Sequence, residues 1–292
     1  MNVENFVDLH VHIGPEPIPR KYNTLELVIK ETGKLKAIGL KNHFYATVPF
    51  LKEINSKSLE LIGGIVLNNY VGGINPYIVY ACAKLSDNPI IVWFPTINAE
   101  NFLQKSIYEI RPEWCESEID KKLSKDVTPV RITKNGVLRK ETLEVLKAIR
   151  KNKCILATGH ISWQESVLLI KEALKMGISK IIITHPIYQL IDMPIEIQKE
   201  LVKNKGVYIE QSYSMYLIDN ISIEKISDQI KIIGPDSCII TSDMGQVNSP
   251  DPSKALQEFT ELLKEKGITE EELRIMGEIN PRKLIEKIDY LS

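Results

Sequence analysis

The chain has 292 residues, of which 43% are hydrophobic and 26% charged, the balance of a soluble globule with a sizeable core and not of a disordered or collagen-like chain. Its 37 lysines and arginines nearly cancel 38 aspartates and glutamates, so no global field draws it to nucleic acid or to an anionic membrane surface. The start MNVENFVDLH lacks a secretion signal, and no apolar run approaches the roughly 18 residues of a membrane span, so a cytoplasmic protein is expected.

Short Ile- and Val-rich runs alternate with stretches of helical spacing, the pattern of a parallel sheet with helical crossovers. Strands are expected at Phe6 to His12, Ala37 to His43, Leu61 to Leu67 and Pro89 to Pro95. Four more follow at Cys154 to His160, Lys180 to His185, Val207 to Gln211 and Cys238 to Asp243. Helices are expected at Asn23 to Thr32, Lys140 to Lys151, Trp163 to Met176 and Pro194 to Lys203, with Gly33, Gly177 and Gly206 as C-terminal stops. Eight strands with intervening helices describe a (β/α)8 TIM barrel of α/β class, a single domain over 1–292.

The interval 97–139 is too long for a βα loop of about 2 to 6 residues. It contains Asn135-Gly136 between short alternating segments, a hairpin signal. As a βα connection it should emerge on the face that carries barrel active sites, either as a lid with Trp114 and Arg111 as candidate substrate contacts or as a decorative insertion. C-terminal helices, begun at Thr269 and ending in INPRKLIEKI, are expected to close the barrel floor and flank. The four cysteines, Cys82, Cys115, Cys154 and Cys238, are far apart without a C-x-x-C, and read as buried small hydrophobes.

All five histidines fall at strand ends: His10 and His12 in VDLHVHIGP, His43 after GLKN, His160 after ILATG, His185 after IIIT. Alternate residues of a strand share a face, so His10 and His12 can grip one ion, with Asp8 on the same face one layer deeper. Asp243 ends IITSD on the eighth strand, beside the first in a closed barrel. Taken singly, each has a commoner explanation in core packing or capping. Together, imidazoles and a carboxylate suit a divalent metal, Zn²⁺ first, with Mn²⁺ or Fe²⁺ as alternatives. Glu210, in VYIEQSY, is a further inward candidate for contact with substrate or with a ligating side chain, or else a solvated acid at a strand end.

The motifs DLHVH, ATGH, THP and TSD, in this order, with the closing NPRKL helix, resemble the amidohydrolase superfamily of metal-dependent barrel enzymes over nearly the whole chain. The resemblance implies His10, His12, His160, His185 and Asp243 as ligands of one or two ions, with Asp243 also shuttling protons. One departure stands out: strand four reads IIVWFPT, without the lysine that bridges two metals as a carbamate in many members. Lys134, before the Asn-Gly turn, is in a normally solvated position and is a poor substitute. Lys41 shares parity with His43 and has three readings: a carbamate bridging two ions, a charged anchor for an anionic group, or a solvent-facing residue in a register shifted by one.

The leading expectation is a metal-dependent hydrolase cleaving an amide, cyclic amide or ester of a small molecule, with His43, Glu210, Arg131 and Trp114 near the substrate. A decarboxylase or hydratase of the same superfamily is the first rival. A phosphoesterase is the second, and would want more cationic groups than Lys41 and Arg131. A homo-oligomer is left open.

Overall fold

The computed structural model describes residues 1–54, 58–105 and 128–287. In chain order the strands are β1 (Val7–His12), β2 (Ala37–Lys41), β3 (Glu60–Ile62), β4 (Gly64–Val66), β5 (Ile91–Trp93), β6 (Thr133–Lys134), β7 (Val137–Leu138), β8 (Ile155–Ala157), β9 (Ile181–Ile183), β10 (Val207–Ser212) and β11 (Cys238–Thr241). One parallel sheet runs β1-β2-β3 and a second runs β11-β10-β9-β8-β5-β4. The expected third strand is thus two short ones that break at Gly63, one in each sheet. At the far edge, Val11 bridges Met244 in parallel, His12 N donates to Met244 O at 2.7 Å and Asp243 N donates to His10 O at 2.9 Å.

The four helices expected between strands form where amphipathic spacing places them, two of them behind a capping box. Thr24–Glu31 starts from an Asn23/Glu26 capping box and Trp163–Lys175 from a Ser162/Glu165 box. Lys140–Lys151 and Ile195–Val202 also appear where the apolar spacing places them. The β6–β7 hairpin turns through Asn135 and Gly136, both at positive φ. Cys82, Cys154 and Cys238 are buried, as expected of small hydrophobes; Cys115, Arg111 and Trp114 lie outside the described residues.

An apolar cluster takes at least one side chain from each of the nine parallel strands, from Val7 and Leu9 of β1 to Ile239 of β11, and adds Leu284 and Ile285 from helix Asn280–Ile285. The last helix therefore closes one end of this interior, anchored by Asn280, whose Nδ2 donates to Cys238 O at 2.8 Å. A larger cluster lies between strands and helices, with Val11, Ile38 and Leu40 meeting Leu27, Val145 and Leu169.

Comparing the two clusters corrects the parity expected of β1. Val7 and Leu9 face the inner cluster, yet Val11 and Ile13 belong to the outer one, because the β1–β2 register shifts between Asp8 and Val11. This irregularity lets His10 and His12 face inward although Leu9 also does. Asp8 does not share their face; its Oδ1 accepts from the backbone N of His10 (3.2 Å) and of Ser242 (3.1 Å). Gly39 of β2 makes room for the bulge: a Cβ there would stand 2.6 Å from Leu9 O and 2.9 Å from Leu9 Cα. Backbone cannot yield as a flexible side chain would, so Gly39→Ala should cost about 3 kcal/mol of unfolding free energy. Urea denaturation measures it, and a loss under about 1 kcal/mol would show that β1 adapts freely.

Candidate metal centre

The five histidines form one continuous run of rings. Centroids are 4.8 Å apart for His43 and His12, 5.3 Å for His12 and His10, 5.8 Å for His10 and His185, and 5.1 Å for His185 and His160. All five are buried. Asp243 sits at the centre of the run: its Oδ1 lies 3.0 Å from His10 Nε2 and 2.9 Å from His12 Nε2. Its Oδ2 accepts from Ser214 Oγ at 2.6 Å, and Ser214 Oγ lies 2.8 Å from Ser212 Oγ. Asp243 and His185 both have positive φ, 54° and 21°. Such backbone is costly for non-glycine residues and persists where surroundings over-determine it.

Glu210 is buried under this layer. Its Oε1 lies 2.8 Å from His10 Nδ1 and accepts from Thr241 Oγ1 at 2.9 Å, while its Oε2 accepts from His185 N at 3.1 Å. One carboxylate thus fixes the ring of His10 and the backbone of His185. Lys41 faces inward, 1% exposed, with Nζ 2.8 Å from His10 Nε2 and 5.7 Å from the Trp93 ring centroid. Of its three readings, the solvent-facing one is overturned: the register puts Lys41 opposite His12, on the face shared with Ala37.

The charges follow from burial and from each other. Burial holds His12, His43 and His160 well below the usual histidine range, with Arg20, His12 and His185 respectively adding to it, and takes His185 down to about 4. His10 is the exception. Burial opposes its charge, but the Asp243 and Glu210 carboxylates raise it to about 9. Burial likewise opposes charge on Asp243 and Glu210, yet His10 holds both below their ordinary values. Burial also lifts Asp8 to about 7.

Ligand atoms of His10, His185 and Asp243 lie within 4.8 Å of one another, and so do those of His12, Glu16 and His43. His160 stands beside His185 but joins neither trio among the described residues. The donor set fits a divalent cation: an ionised carboxylate converges with imidazoles that are neutral except for His10, whose proton an incoming ion would displace. The buried Nδ1 atoms of His12, His160 and His185 also have no hydrogen-bond partner among the described residues, an expense of roughly 1–3 kcal/mol each for a polar atom left unmatched.

Arg131 makes no hydrogen bond or ion pair with the histidines or Asp243 among the described residues. It is half-exposed and pairs with Glu100 at 2.7 Å. Lys134 is exposed on the hairpin. Sequence reasoning missed Glu16, Arg20, Ser214 and Asn68. Glu16 accepts from His43 N at 3.0 Å and pairs with Arg20. Asn68 ties the His43 loop to the end of β5, donating to His43 O (3.1 Å) and Thr96 Oγ1 (3.0 Å), and Thr96 Oγ1 lies 2.9 Å from His43 Nδ1. The signal available for Glu16 and Arg20 was their place in GPEPIPR, directly after the first histidine pair.

The loop that carries them is anchored on Asp251, which accepts from Lys21 Nζ (2.8 Å) and Tyr22 Oη (2.7 Å). Although partial burial opposes its charge, these donors hold Asp251 at about 2. A depressed carboxyl stabilises the fold above its ordinary value of 3.8 and loses that effect as pH falls toward 2. Asp251→Asn should therefore cost about 1 kcal/mol at neutral pH, after allowance for solvent screening, and almost nothing near pH 2. Urea midpoints at both pH values test this; a pH-independent difference would show that the charge is irrelevant.

The sequence pattern of DUF6282, described as a family of unknown function, matches residues 5–210. The chain belongs to DUF6282. The matched stretch holds all five histidines, Lys41 and Glu210 of this DUF6282 protein, and stops short of Asp243. No curated protein sequence matches it. Solved structures do resemble it in fold. An amidohydrolase from Pseudomonas aeruginosa is 10% identical with a TM-score of 0.64, covering 96% of this chain and 95% of its own. A Xaa-Pro dipeptidase with bound methionine is 14% identical with a TM-score of 0.57, covering 96% and 75%. An amidohydrolase from Burkholderia multivorans is 10% identical with a TM-score of 0.55, covering 96% and 98%. The DUF6282 chain therefore shares their α/β architecture of parallel strands. Among its described residues no helix is long and apolar enough to cross a membrane.

Proposed function

We propose that this protein is a metal-dependent hydrolase that cleaves an amide, cyclic amide or ester bond of a small molecule, built as one (β/α)8 barrel domain over 1–292 with the 97–139 insertion as its lid. The observation that carries the reading is the convergence of His10, His12, His185 and Asp243, with His43 and His160 at the flanks, on one buried polar layer above an apolar floor. The fold-level likeness to amidohydrolases supports it.

His10, His12, His185 and Asp243 would hold the cation, with His160 adjacent, and zinc fits imidazole and carboxylate donors best. Such an ion supplies Lewis acidity, acidifying water and polarising a carbonyl. The chain's own groups do the rest. Asp243 Oδ1 takes a proton from the attacking water and returns it to the leaving nitrogen or oxygen. Ser214 grips Oδ2, so that Oδ1 stays turned toward His10 and His12. Glu210 accepts from His10 Nδ1–H, leaving the Nε2 lone pair for the cation. Trp93 and the cluster beneath it keep water out from below.

Elemental analysis and chelation test this. The purified protein should carry at least one equivalent of metal, and zinc at 100 times its Kd should add about 2.7 kcal/mol to unfolding. Hydrolysis of amides, cyclic amides or esters should vanish with chelation and return with zinc; full turnover without metal would defeat the reading. One observation favours a second reading, a decarboxylase or hydratase: the expected fourth strand, at β5, reads IIVWFPT, with no lysine to bridge two ions. Two ions with carbon dioxide bound to Lys41 go with the hydrolase. One ion, a bare lysine and carbon dioxide released from a carboxylated substrate go with the lyase.

A further inference from the structure

The trio of His12, Glu16 and His43 has the look of a second cation site, but its surroundings point the other way. Both Glu16 oxygens are already engaged, Oε1 by Arg20 Nε and Oε2 by the backbone N of His43. Arg20 brings a guanidinium to the same place, with its Nε on Glu16 Oε1. A second metal ion would find no open carboxylate oxygen there, whereas a ligand with two acceptor oxygens would meet the guanidinium N–H groups that Glu16 does not use.

We propose that Arg20 is the receptor for an anionic group of the substrate, a carboxylate or a phosphate, held at the His12 and His43 end of the site. The proposal deepens the hydrolase reading and rests on it for the reaction, not for the binding. Thirty of the 37 cationic side chains are lysines, and Arg20 is the only arginine before residue 111. A guanidinium offers a planar fork that matches two oxygens, whereas an ammonium is a point charge.

The fork is largely unspent. The Arg20 side chain is 5% exposed and that of Glu16 is 0% exposed, so the charge is deeply set and neutralised. Of its five N–H donors, only the one on Nε has a partner among the described residues, and the terminal nitrogens are not sealed from solvent. Balancing Glu16 takes one of the five donors and leaves four for a ligand or for water.

The geometry is also fixed in advance. Arg20 bridges Gln246 in antiparallel fashion, Lys21 N donates to Gly245 O at 2.8 Å and Gly14 N donates to Tyr22 O at 2.8 Å. The stem of Arg20 lies over Gly14, where a Cβ would come within 3.3 Å of Arg20 Cβ. Both ends of the loop are therefore pinned, one to the segment after β1 and the other to the segment after β11, so little ordering remains when an anion docks.

The test is calorimetric titration of the zinc-loaded full chain with glutarate and with inorganic phosphate. One equivalent of at least one anion should bind, and Arg20→Lys, which keeps Glu16 paired and the fold intact, should weaken that binding at least tenfold with zinc content unchanged. Preference for glutarate identifies a carboxylate substrate and preference for phosphate a phosphorylated one. No binding of either anion, or undiminished binding by Arg20→Lys, overturns the proposal. Repeating the titration on metal-free protein separates the two ideas: a wild-type chain that takes no zinc yet binds the anion through Arg20 sinks the hydrolase reading alone.

Discussion

Asp243→Asn is expected to lower turnover of any substrate the protein hydrolyses by about a thousandfold, the scale of losing a positioned general base together with its charge. The substitution preserves volume and leaves an oxygen for Ser214 Oγ to donate to. It removes the negative charge that lies 3.0 Å from His10 Nε2 and 2.9 Å from His12 Nε2. His10, raised to about 9 in part by that charge, should then titrate lower in the metal-free protein. Removing one member of so buried a set should also cost about 3 kcal/mol of stability. Steady-state kinetics with zinc present and NMR titration of the imidazoles measure the two effects. A variant with wild-type turnover would remove Asp243 from the chemistry.

The next largest effect is expected from Glu210→Gln, which touches no substrate in this reading. Glu210 holds His10 through Nδ1 at 2.8 Å and His185 through its backbone N at 3.1 Å, so two of the proposed ligands take their orientation from one side chain. A carboxylate behind a ligating histidine both aims the ring and makes it a better donor, and its loss typically weakens metal binding 10- to 100-fold. Glutamine can still accept from Thr241 or from His185 N, so the fold should persist. Zinc affinity should fall by about fiftyfold, while turnover at saturating zinc falls much less. Competition with a zinc chelator gives the affinity. Unchanged affinity would show that Glu210 merely fills space.

Much of this site was legible in the sequence because it is written in strand ends. His10, His12, His43, His160 and His185 close apolar runs, and runs of that kind bring their last residues to one place when the strands are parallel. The helices with capping boxes, and the Asn135-Gly136 hairpin, were legible for the same local reason. What period-two alternation cannot express was misread. The shift in β1 between Asp8 and Val11 moves Asp8 off the face of His10, and it depends on a missing Cβ at Gly39 on a different strand. The break at Gly63 sends one apolar run into two sheets. Arg20 and Glu16 lie in a loop whose path is set by contacts with Gly245, Gln246 and Asp251, more than two hundred residues away. Arg131, expected near the substrate, is half-exposed and pairs with Glu100.

The contact between Asp8 and Ser242 joins residues 234 positions apart. During synthesis at roughly 5–20 residues per second, His10 and His12 would leave the ribosome tens of seconds before their central carboxylate exists. The nascent chain must spend that interval with the edge of its first strand uncovered and its histidine pair incomplete. Under the proposed function, a product that stops before Asp243 would lack the carboxylate that His10 and His12 share, and with it part of the place for an ion.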